Sequence, residues 1–537
     1  MRPVHLEIQT HRGKPCGVIR STFREDGKVK HTSHGRIAGV PLNTLRLIQA
    51  AFRGDVLPKH HPEALRLLSS KEYGASHALL VLADEVGLTR AIYSRREPWV
   101  RDCLAMIVGR VIHAGSKLAL SHLWKTTALW ELCGTPGAVD VRTHCYAAMD
   151  RLLARQEAIQ KHLAARHLHE GALVLYDITS SYFEGDYAES ELVQFGYNRD
   201  GKRGHEQMVI GLLCSATGCP VGVEVFPGNT QDASTVPDKI AEVQRRYGIK
   251  ELIFVGDRGM ITQSVEGKLK GVEGLSTISA LTHRQIVSLL ERKVIEPDFF
   301  DEQSMAEVID PDDVTRRYCL CRNPQSAQRE GDTRTALLER TRNELTRIAD
   351  SKRKAGDDKV GARVGRVLAK TKMGKFVIWQ VQDGHLAWQF DENKIAAEKC
   401  FDGCYIICGT VPAERMSKQA LVASYKSLSL VETAFRNLKT VQLEVRPVYH
   451  KTDDRIRAHV FLCVLAYYLQ WHMNQRLAPL YAEDGKHAAR QWTFKAVIDR
   501  LSAIRRQRVM IANTEFDQIT EPDDEQQRLL DLLQVTL

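Results

Sequence analysis

Two short apolar runs, each with an aspartate at its end, are the feature that most constrains the fold of this chain. Residues 172–180 read ALVLYDITS and residues 250–260 read KELIFVGDRGM, which places Asp177 and Asp257 after the apolar residues. Runs of this length without polar alternation are typical of strands that are buried on both faces of a sheet. Carboxylates at strand ends line the crevice beside such a sheet, where α/β proteins place functional groups. The two runs therefore predict an α/β core with two acids at one edge.

The segment around these aspartates completes the pattern of a mixed sheet. Two β-rich runs in residues 207–229 flank Ala216-Thr217-Gly218, which is a hairpin signal. Residues 234–247 follow as a helix that Gly248 ends, and LSTISAL predicts one more strand. Antiparallel strands, a helix and parallel strands together predict a mixed α/β layer.

The rest of the chain divides, by composition and hydrophobic pattern, into regions on either side of this layer. Residues 323–375 are strongly charged and too long for a plain connection, so we expect an insertion there. The tail after Glu521 is acidic and is expected to be partly loose. The predicted regions are a small β-rich segment (1–40), a helical domain (41–169), the first part of the core (170–281), an inserted subdomain of charged helices plus β structure (282–409), the second part of the core (410–475) and a C-terminal helical region with its tail (476–537).

Composition narrows the class of partner. Among 537 residues, 75 Lys and Arg outnumber 66 Asp and Glu, which gives a net charge of +9 and favours a polyanionic partner. The start of the chain has no apolar core of a secretory signal, and the longest apolar stretch, residues 460–469, is about half of a bilayer span. The 12 cysteines form no disulfide-like framework. We therefore expect a cytoplasmic protein without a membrane partner.

A third acid, Glu432, lies in a segment with helical spacing. Tyr425, Leu428, Glu432 and Lys439 are expected to share one helix face, and Arg436 follows Glu432 by one turn. Three carboxylates can hold two Mg²⁺ ions about 3.5–4 Å apart, since Mg²⁺ prefers hard oxygen ligands. Taken without the strands, the same helix fits an exposed Glu–Arg pair with its apolar residues in the core.

These segments resemble a known family. YDITSS, FVGDRG and Y-x2-L-x3-E-x6-K are similar to motifs of the DDE transposases of bacterial insertion sequences, in the branch with a Tyr–Arg–Glu–Lys signature. LEVRPVYHKTDDRIRAHVFLCVLAYYL and GNTQDASTV are also similar to that branch, and the resemblance covers roughly residues 170–475. It implies an RNase H-like mixed-sheet catalytic core with an inserted subdomain, preceded by a mainly helical DNA-binding region.

The resemblance also implies roles for individual residues. Asp177, Asp257 and Glu432 match the catalytic triad, which binds two Mg²⁺ ions, with Mn²⁺ as a substitute. Tyr425 and Lys439 match residues that contact the DNA end. The partners that it implies are double-stranded DNA, both terminal inverted repeats and target, and a second copy of the chain in a homodimer.

One position departs from the signature, and other cations are candidates from their place in the sequence. Leu428 stands where the signature has arginine, and Arg436 is a candidate to supply the missing charge. Lys202, Arg203 and Arg258 are near the predicted site in sequence and are candidates to meet phosphates, although isolated cations are more often solvated surface. Cys400, Cys404 and Cys408 lack a matching second cluster, and their local pattern indicates a strand rather than a metal site.

The sequence thus predicts a nucleoid-associated transposase that cleaves DNA at insertion-sequence ends and transfers the strands to target DNA. Two alternatives stay open. One is an RNase H-like DNA nuclease that does not transpose. The other is a catalytically inactive derivative that only binds DNA, an idea that Leu428 keeps open.

Overall fold

The computed structural model of this chain describes most of its length. The described residues are 4–11, 14–25, 27–54, 65–197, 199, 201, 204–296, 305–351, 355–441, 443–483, 491–511 and 514–537. The predicted DNA-binding residues Lys202 and Arg203 lie outside the described residues.

The N-terminal part combines an antiparallel sheet with a group of helices. Its elements are β1 (Val4–His11), β2 (Lys14–Glu25), β3 (Lys28–Ala38), α1 (Leu42–Phe52), β4 (Leu65–Glu72), α2 (Gly74–Glu85), α3 (Leu88–Ile92), α4 (Pro98–Ile112), α5 (Lys117–His122), α6 (Leu129–Leu132), α7 (Ala147–Ala154) and α8 (Gln156–His167). Strands β1, β2 and β3 form a three-stranded sheet in chain order. The described part of the region expected to be helical, 41–169, also includes the strand β4, which pairs with a strand from the C-terminal part of the chain.

The core begins with strands that match the predicted apolar runs. Its first elements are β5 (Ala172–Tyr182), β6 (Gln207–Ser215), β7 (Pro220–Pro227), α9 (Asp232–Tyr247), β8 (Leu252–Gly256), α10 (Gln263–Leu269), β9 (Leu275–Ala280) and α11 (His283–Glu291). All residues of β6 and β8 are buried, as expected for strands covered on both faces. Gly248 ends α9 with a φ of +74°, a left-handed conformation that glycine adopts without steric cost.

The predicted insertion is only partly separate from the core sheet. Its elements are β10 (Ala306–Asp310), β11 (Asp313–Arg322), α12 (Pro324–Ala349), α13 (Asp357–Thr371), β12 (Val377–Gln382), β13 (His385–Phe390), α14 (Glu392–Lys399) and β14 (Cys404–Gly409). Strands β10, β11 and β14 join the main sheet, whose order is β10-β11-β14-β9-β8-β5-β6-β7. The segment outside that sheet thus runs from α12 to α14, which is shorter than the predicted 282–409. Cys404 and Cys408 belong to β14, as the strand-like pattern predicted, whereas Cys400 follows the end of α14.

The order of the sheet confirms the predicted fold class. Strands β5, β6 and β7 form an antiparallel meander, and β8 and β9 continue from β5 in parallel. An antiparallel hairpin pair next to parallel strands in one sheet is the mixed α/β layer that the sequence predicted. The sheet also has the arrangement that the resemblance to an RNase H-like core implied.

The last part of the chain supplies helices that cover the core and a hairpin that returns to β4. Its elements are α15 (Lys418–Lys426), α16 (Leu428–Arg436), α17 (Asp453–Arg476), α18 (Ala478–Glu483), α19 (Phe494–Ser502), β15 (Arg505–Ile511), β16 (Thr514–Ile519) and α20 (Asp524–Leu533). Helix α17 is buried along most of its length and packs between α2, α4 and α7 on one side and β7 on the other. Within the described residues no single helix is long and apolar enough to span a membrane, and one pair bent by 103°, Pro98–Ile112 with Lys117–Lys125, passes on length and composition alone.

The tail expected to be loose is an ordered helix. Asp523 and Gln526 form a capping box at the start of α20, and Leu529, Leu530 and Leu533 are buried. The acidic residues that suggested a loose tail are the polar face of this amphipathic helix, which packs against α2, α17 and α19. The expectation was wrong because an acidic first turn also favours a helix N-terminus.

Leu529→Ala is expected to lower the free energy of unfolding by about 2–4 kcal/mol, because it leaves a cavity at a fully buried position. Chemical denaturation followed by circular dichroism measures this difference. Gln527→Ala, on the exposed face of the same helix, is the matched control and should change stability little. Equal stability of the two variants would mean that α20 does not pack as described.

Candidate active site

The parallel pairing of β5 with β8 aligns the first two acids. Tyr176 lies opposite Gly256, so the next residue on each strand, Asp177 and Asp257, emerges at the same level of the sheet. Strand β8 ends at Gly256, whereas β5 continues to Tyr182. The sequence had suggested that Asp177 lies at the end of a strand, but it lies inside β5. Antiparallel pairing with β6 extends β5 beyond the end of β8.

The two aspartates differ in their surroundings. Asp177 is half-buried, and its Oδ1 accepts a hydrogen bond of 2.8 Å from the backbone N–H of Ile178. Asp257 is exposed, and its Oδ1 accepts one bond from the N–H of Arg258 at 2.8 Å and one from the hydroxyl of Tyr425 at 3.0 Å. Tyr425, on α15, therefore holds the Asp257 carboxylate in place.

Glu432 approaches from α16, which lies against β5. The buried residues of this helix are Leu428, Val431, Ala434 and Phe435. Glu432 is exposed on the remaining side of the helix. The negative charges of Asp257 and of Glu432 both raise the pKa of Asp177. The structure thus places Asp257, at the end of β8, and Glu432, on α16, within electrostatic range of Asp177 on β5.

The charges around Asp177 are those expected of a site that binds a cation. Burial, followed by the charges of Asp257 and Glu432, raises the pKa of Asp177 to about 7, against the lowering effects of the Ile178 N–H and of Arg199. The negative charges of Asp257 and Glu432 oppose ionisation of Asp177, and a divalent ion would offset that repulsion. The donors are all carboxylate oxygens, which suit Mg²⁺ or Mn²⁺ better than softer metals.

The helix predicted to carry Tyr425, Leu428, Glu432 and Lys439 on one face is interrupted. Helix α15 ends at Lys426, α16 begins at Leu428, and Lys439 lies in a π-helical turn, Asn437–Val441. The Ser427 hydroxyl donates a 3.0 Å hydrogen bond to the carbonyl of Ala423, a back-bond that bends helices. Leu428, in the signature's arginine position, is 9% exposed and packs in the core. The segment is therefore not the single continuous helix that the prediction assumed, and Leu428 is buried whereas Glu432 is exposed.

The predicted cations have different positions around the acids. Arg258 is exposed and lines a cavity of about 430 Å³ together with Asp257 and Tyr425. The same cavity is also lined by Glu330 of α12 and Glu398 of α14. Arg436 is the exposed last residue of α16, and Lys439 is half-buried.

Arg199 is a residue of this site that sequence reasoning missed. Its guanidinium forms an ion pair with Asp232, the first residue of α9, and its charge lowers the pKa of Asp177. Its backbone N–H donates a 3.0 Å hydrogen bond to the hydroxyl of the buried Ser180, which lies on β5. Arg199 stands in the run NRDGKRG, where no periodicity separates it from its basic neighbours.

Asp177→Asn is expected to stabilise the protein in a metal-free buffer, and more at about pH 8 than at about pH 5. The folded site favours the protonated carboxyl, so the free energy of unfolding falls as pH rises from the ordinary pKa of an aspartate to about 7. Asparagine avoids this loss, which amounts to roughly 1–3 kcal/mol over that range. Urea unfolding with a chelator at both pH values measures the gain, and the exposed Asp238→Asn is the control. A gain that does not grow with pH would contradict the assigned environment of Asp177.

Comparison with known proteins identifies the family of this chain. Residues 172–469 match the family described as Transposase DDE domain, and no curated protein matches the chain. Among solved structures, a cryo-EM structure of the piggyBac transposase synaptic complex with hairpin DNA aligns with 80% of this chain and 76% of that chain, at 9% sequence identity and a TM-score of 0.36. The family match extends over more than half of the chain and includes all three acids, so this chain belongs to the Transposase DDE domain family.

Proposed function

We propose that this chain cleaves DNA at the ends of an insertion sequence and joins those ends to target DNA, using two Mg²⁺ ions held by Asp177, Asp257 and Glu432. The observation that carries the proposal is the pairing of β5 with β8, which aligns Asp177 and Asp257, together with the packing of the Glu432 helix, α16, against β5. Membership of a transposase family supports DNA as the substrate and DNA cleavage with strand transfer as the reaction.

The surroundings of Asp257 and Asp177 indicate a different role for each carboxylate in metal binding. When bound, two divalent ions neutralise charge on the scissile phosphate and activate the attacking oxygen. Asp257 is held by the Tyr425 hydroxyl and the Arg258 N–H, so one of its oxygens is oriented while the other stays available to a ligand. Asp177 must lose its proton before it can bind a cation, which couples metal affinity to pH.

Cations around the acids are suited to DNA phosphates. We propose that Arg258, Arg436 and Lys439 contact the DNA end together with Tyr425. Arg258 is exposed next to Asp257, and Arg436 is exposed on the helix that carries Glu432. Lys202 and Arg203 stay sequence-based proposals for the same role. Leu428 cannot take part in this way because its side chain is in the core.

The regions outside the core are proposed to hold the DNA ends. Strand β3 is exposed along nearly its whole length and carries Lys28, Lys30 and Arg36, which supports a DNA-facing role for the N-terminal part. We also propose that the segment between β11 and β14 closes over the DNA, because it forms one wall of the cavity beside Asp257. Two ends must be brought together for transposition, which favours a homodimer on DNA.

The origin and the branch of the family are proposals of the same kind. The motifs around Asp177, Asp257 and Glu432 favour a bacterial insertion sequence in the branch with the Tyr–Arg–Glu–Lys signature. A protein that acts on a bacterial chromosome would work in the cytoplasm, at the nucleoid. The Leu428 position departs from that branch.

Glu432→Gln is expected to abolish cleavage while leaving DNA binding intact, because the amide removes one anionic ligand and keeps the size of the side chain. The assay uses a plasmid carrying this gene's own flanking DNA with Mg²⁺ or Mn²⁺. We expect a loss of at least about 10³-fold in cleavage rate. Glu414→Gln, at an exposed position in the loop before α15, is the control and should cleave like the wild type.

The same assay separates the proposal from its alternatives. Discrete breaks at the gene's flanks followed by joining to target DNA support a transposase. Breaks without joining would indicate a nuclease, and specific binding without breaks in the wild type would indicate a DNA-binding derivative. Undiminished cleavage by Glu432→Gln would contradict the assignment of the third acid.

Tyr425→Phe is expected to lower the cleavage rate by about tenfold at low Mg²⁺, since it removes a hydrogen bond to a charged carboxylate. Raising the Mg²⁺ concentration should recover part of the rate if the lost bond positions a metal ligand. Tyr405→Phe is the matched control, because Tyr405 lines the same cavity from β14 and is half-buried like Tyr425. Equal effects of the two substitutions would mean that the bond to Asp257 has no special role.

A further inference from the structure

Three potential metal ligands from distant parts of the chain meet away from the three acids. They are His167, the last residue of α8, Cys219, between β6 and β7, and His472 on α17. One ligand atom from each residue lies within 4.8 Å of the others. Two imidazoles and a thiol within this distance are the donor types that bind Zn²⁺ and related transition metals, and not the hard oxygen donors that Mg²⁺ prefers.

The cluster contains a polar atom without a protein partner. Nε2 of His472 is buried and, within the described part of the chain, has no hydrogen-bond partner. Buried polar groups are nearly always satisfied, so such an atom points to a bound group that the protein chain does not supply. Cys219 is fully buried, with 0% exposure.

The surrounding aromatic residues hold the two imidazoles in place. Nε2 of His167 lies 3.0 Å from the hydroxyl of Tyr468, and a hydrogen bond to one ring nitrogen is the usual way of orienting a metal-binding histidine. The ring of His472 packs edge-on against Tyr468 and Trp471, with centroid distances of 4.6 and 4.9 Å. The two histidine rings are themselves 5.4 Å apart.

Burial shifts the pKa of all three side chains. Burial and the nearby positive charge of Arg166 lower the pKa of His167 to about 4. Burial and the charges of His167, Arg166 and Arg476 lower the pKa of His472 to about 3. Burial raises the pKa of the Cys219 thiol. Arg476 is itself paired with Glu85 at 2.7 Å.

We propose that His167, Cys219 and His472 form a binding site for one zinc-class divalent ion, which ties α8 and the β6–β7 turn to α17. On binding, a metal–sulfur bond forms, the thiol proton leaves to solvent, and both histidines coordinate through neutral nitrogen. Three protein ligands leave a fourth tetrahedral position for water.

The site bears on the active site through the β6–β7 turn. Gly218, next to Cys219, has a φ of +81°, and a Cβ there would be 2.9 Å from Cβ of Leu430 on α16. The carbonyl of Thr217 accepts a 3.3 Å hydrogen bond from the indole N–H of Trp471. The turn thus contacts both α16, which carries Glu432, and α17. A metal bound by Cys219 would hold this turn in place and, through its contact with Leu430, the position of the helix that carries Glu432.

Cobalt substitution tests the proposal in the full-length chain. The measurement is made with excess Mg²⁺ in the Asp177→Asn background, so that the acids do not compete for the probe. We expect Co²⁺ to give tetrahedral visible bands and a thiolate charge-transfer band, and purified protein to carry one zinc ion per chain by elemental analysis. Absence of metal from folded wild-type protein, with no cobalt spectrum, would overturn the site.

Matched cysteine variants identify the ligand. Cys219→Ser should lose the charge-transfer band and at least about tenfold in affinity for Zn²⁺. Cys214→Ser, which changes another buried cysteine of the same hairpin, should retain both. His472→Asn provides a second test should Cys219→Ser fail to fold, as judged by circular dichroism. Identical binding by Cys219→Ser and Cys214→Ser would contradict the assignment.

Discussion

The parallel pairing of β5 with β8 is the interaction on which the site depends. Since Tyr176 lies opposite Gly256, Asp177 and Asp257 emerge side by side although 80 residues separate them in sequence. A slip of one residue would turn one of the two side chains to the other face of the sheet. Strand β8 is buried throughout and β5 nearly so, so this pair lies inside the hydrophobic core and the two acids emerge where β8 ends.

The third acid depends on packing from outside the sheet. Helix α16 lies on β5 through its buried face, and its outer side meets the turn between β6 and β7 at Leu430. That turn is in contact with α17, which also packs against the N-terminal helices α2, α4 and α7. The position of Glu432 is therefore coupled to the whole hydrophobic interior, and the His167, Cys219 and His472 cluster lies at the junction.

Much of the core could be predicted from the sequence, because each element carried its own local signal. The apolar runs gave β5 and β8, the turn at Gly218 gave the β6–β7 hairpin, and Gly248 marked the end of α9. What could not be predicted depends on contacts between distant segments. The pairing of β4 with β15, the entry of β10, β11 and β14 into the main sheet, and the break at Ser427 have no periodic pattern of their own. Arg199 and the His167 cluster belong to the same class, since only the fold brings their partners together. Leu428 could be recognised as a departure from the motif, and the alternative interpretation of its helix already placed its apolar residues in the core.

The central claim is that Asp177, Asp257 and Glu432 together hold a pair of divalent ions. The most direct measurement is a crystal structure of the protein soaked in Mn²⁺, with an anomalous difference map calculated at the manganese edge. The account predicts two peaks about 3.5–4 Å apart among the three carboxylates, with the Asp257–Tyr425 hydrogen bond preserved. A map without peaks at these residues, or with Glu432 taking no part in coordination, would contradict it.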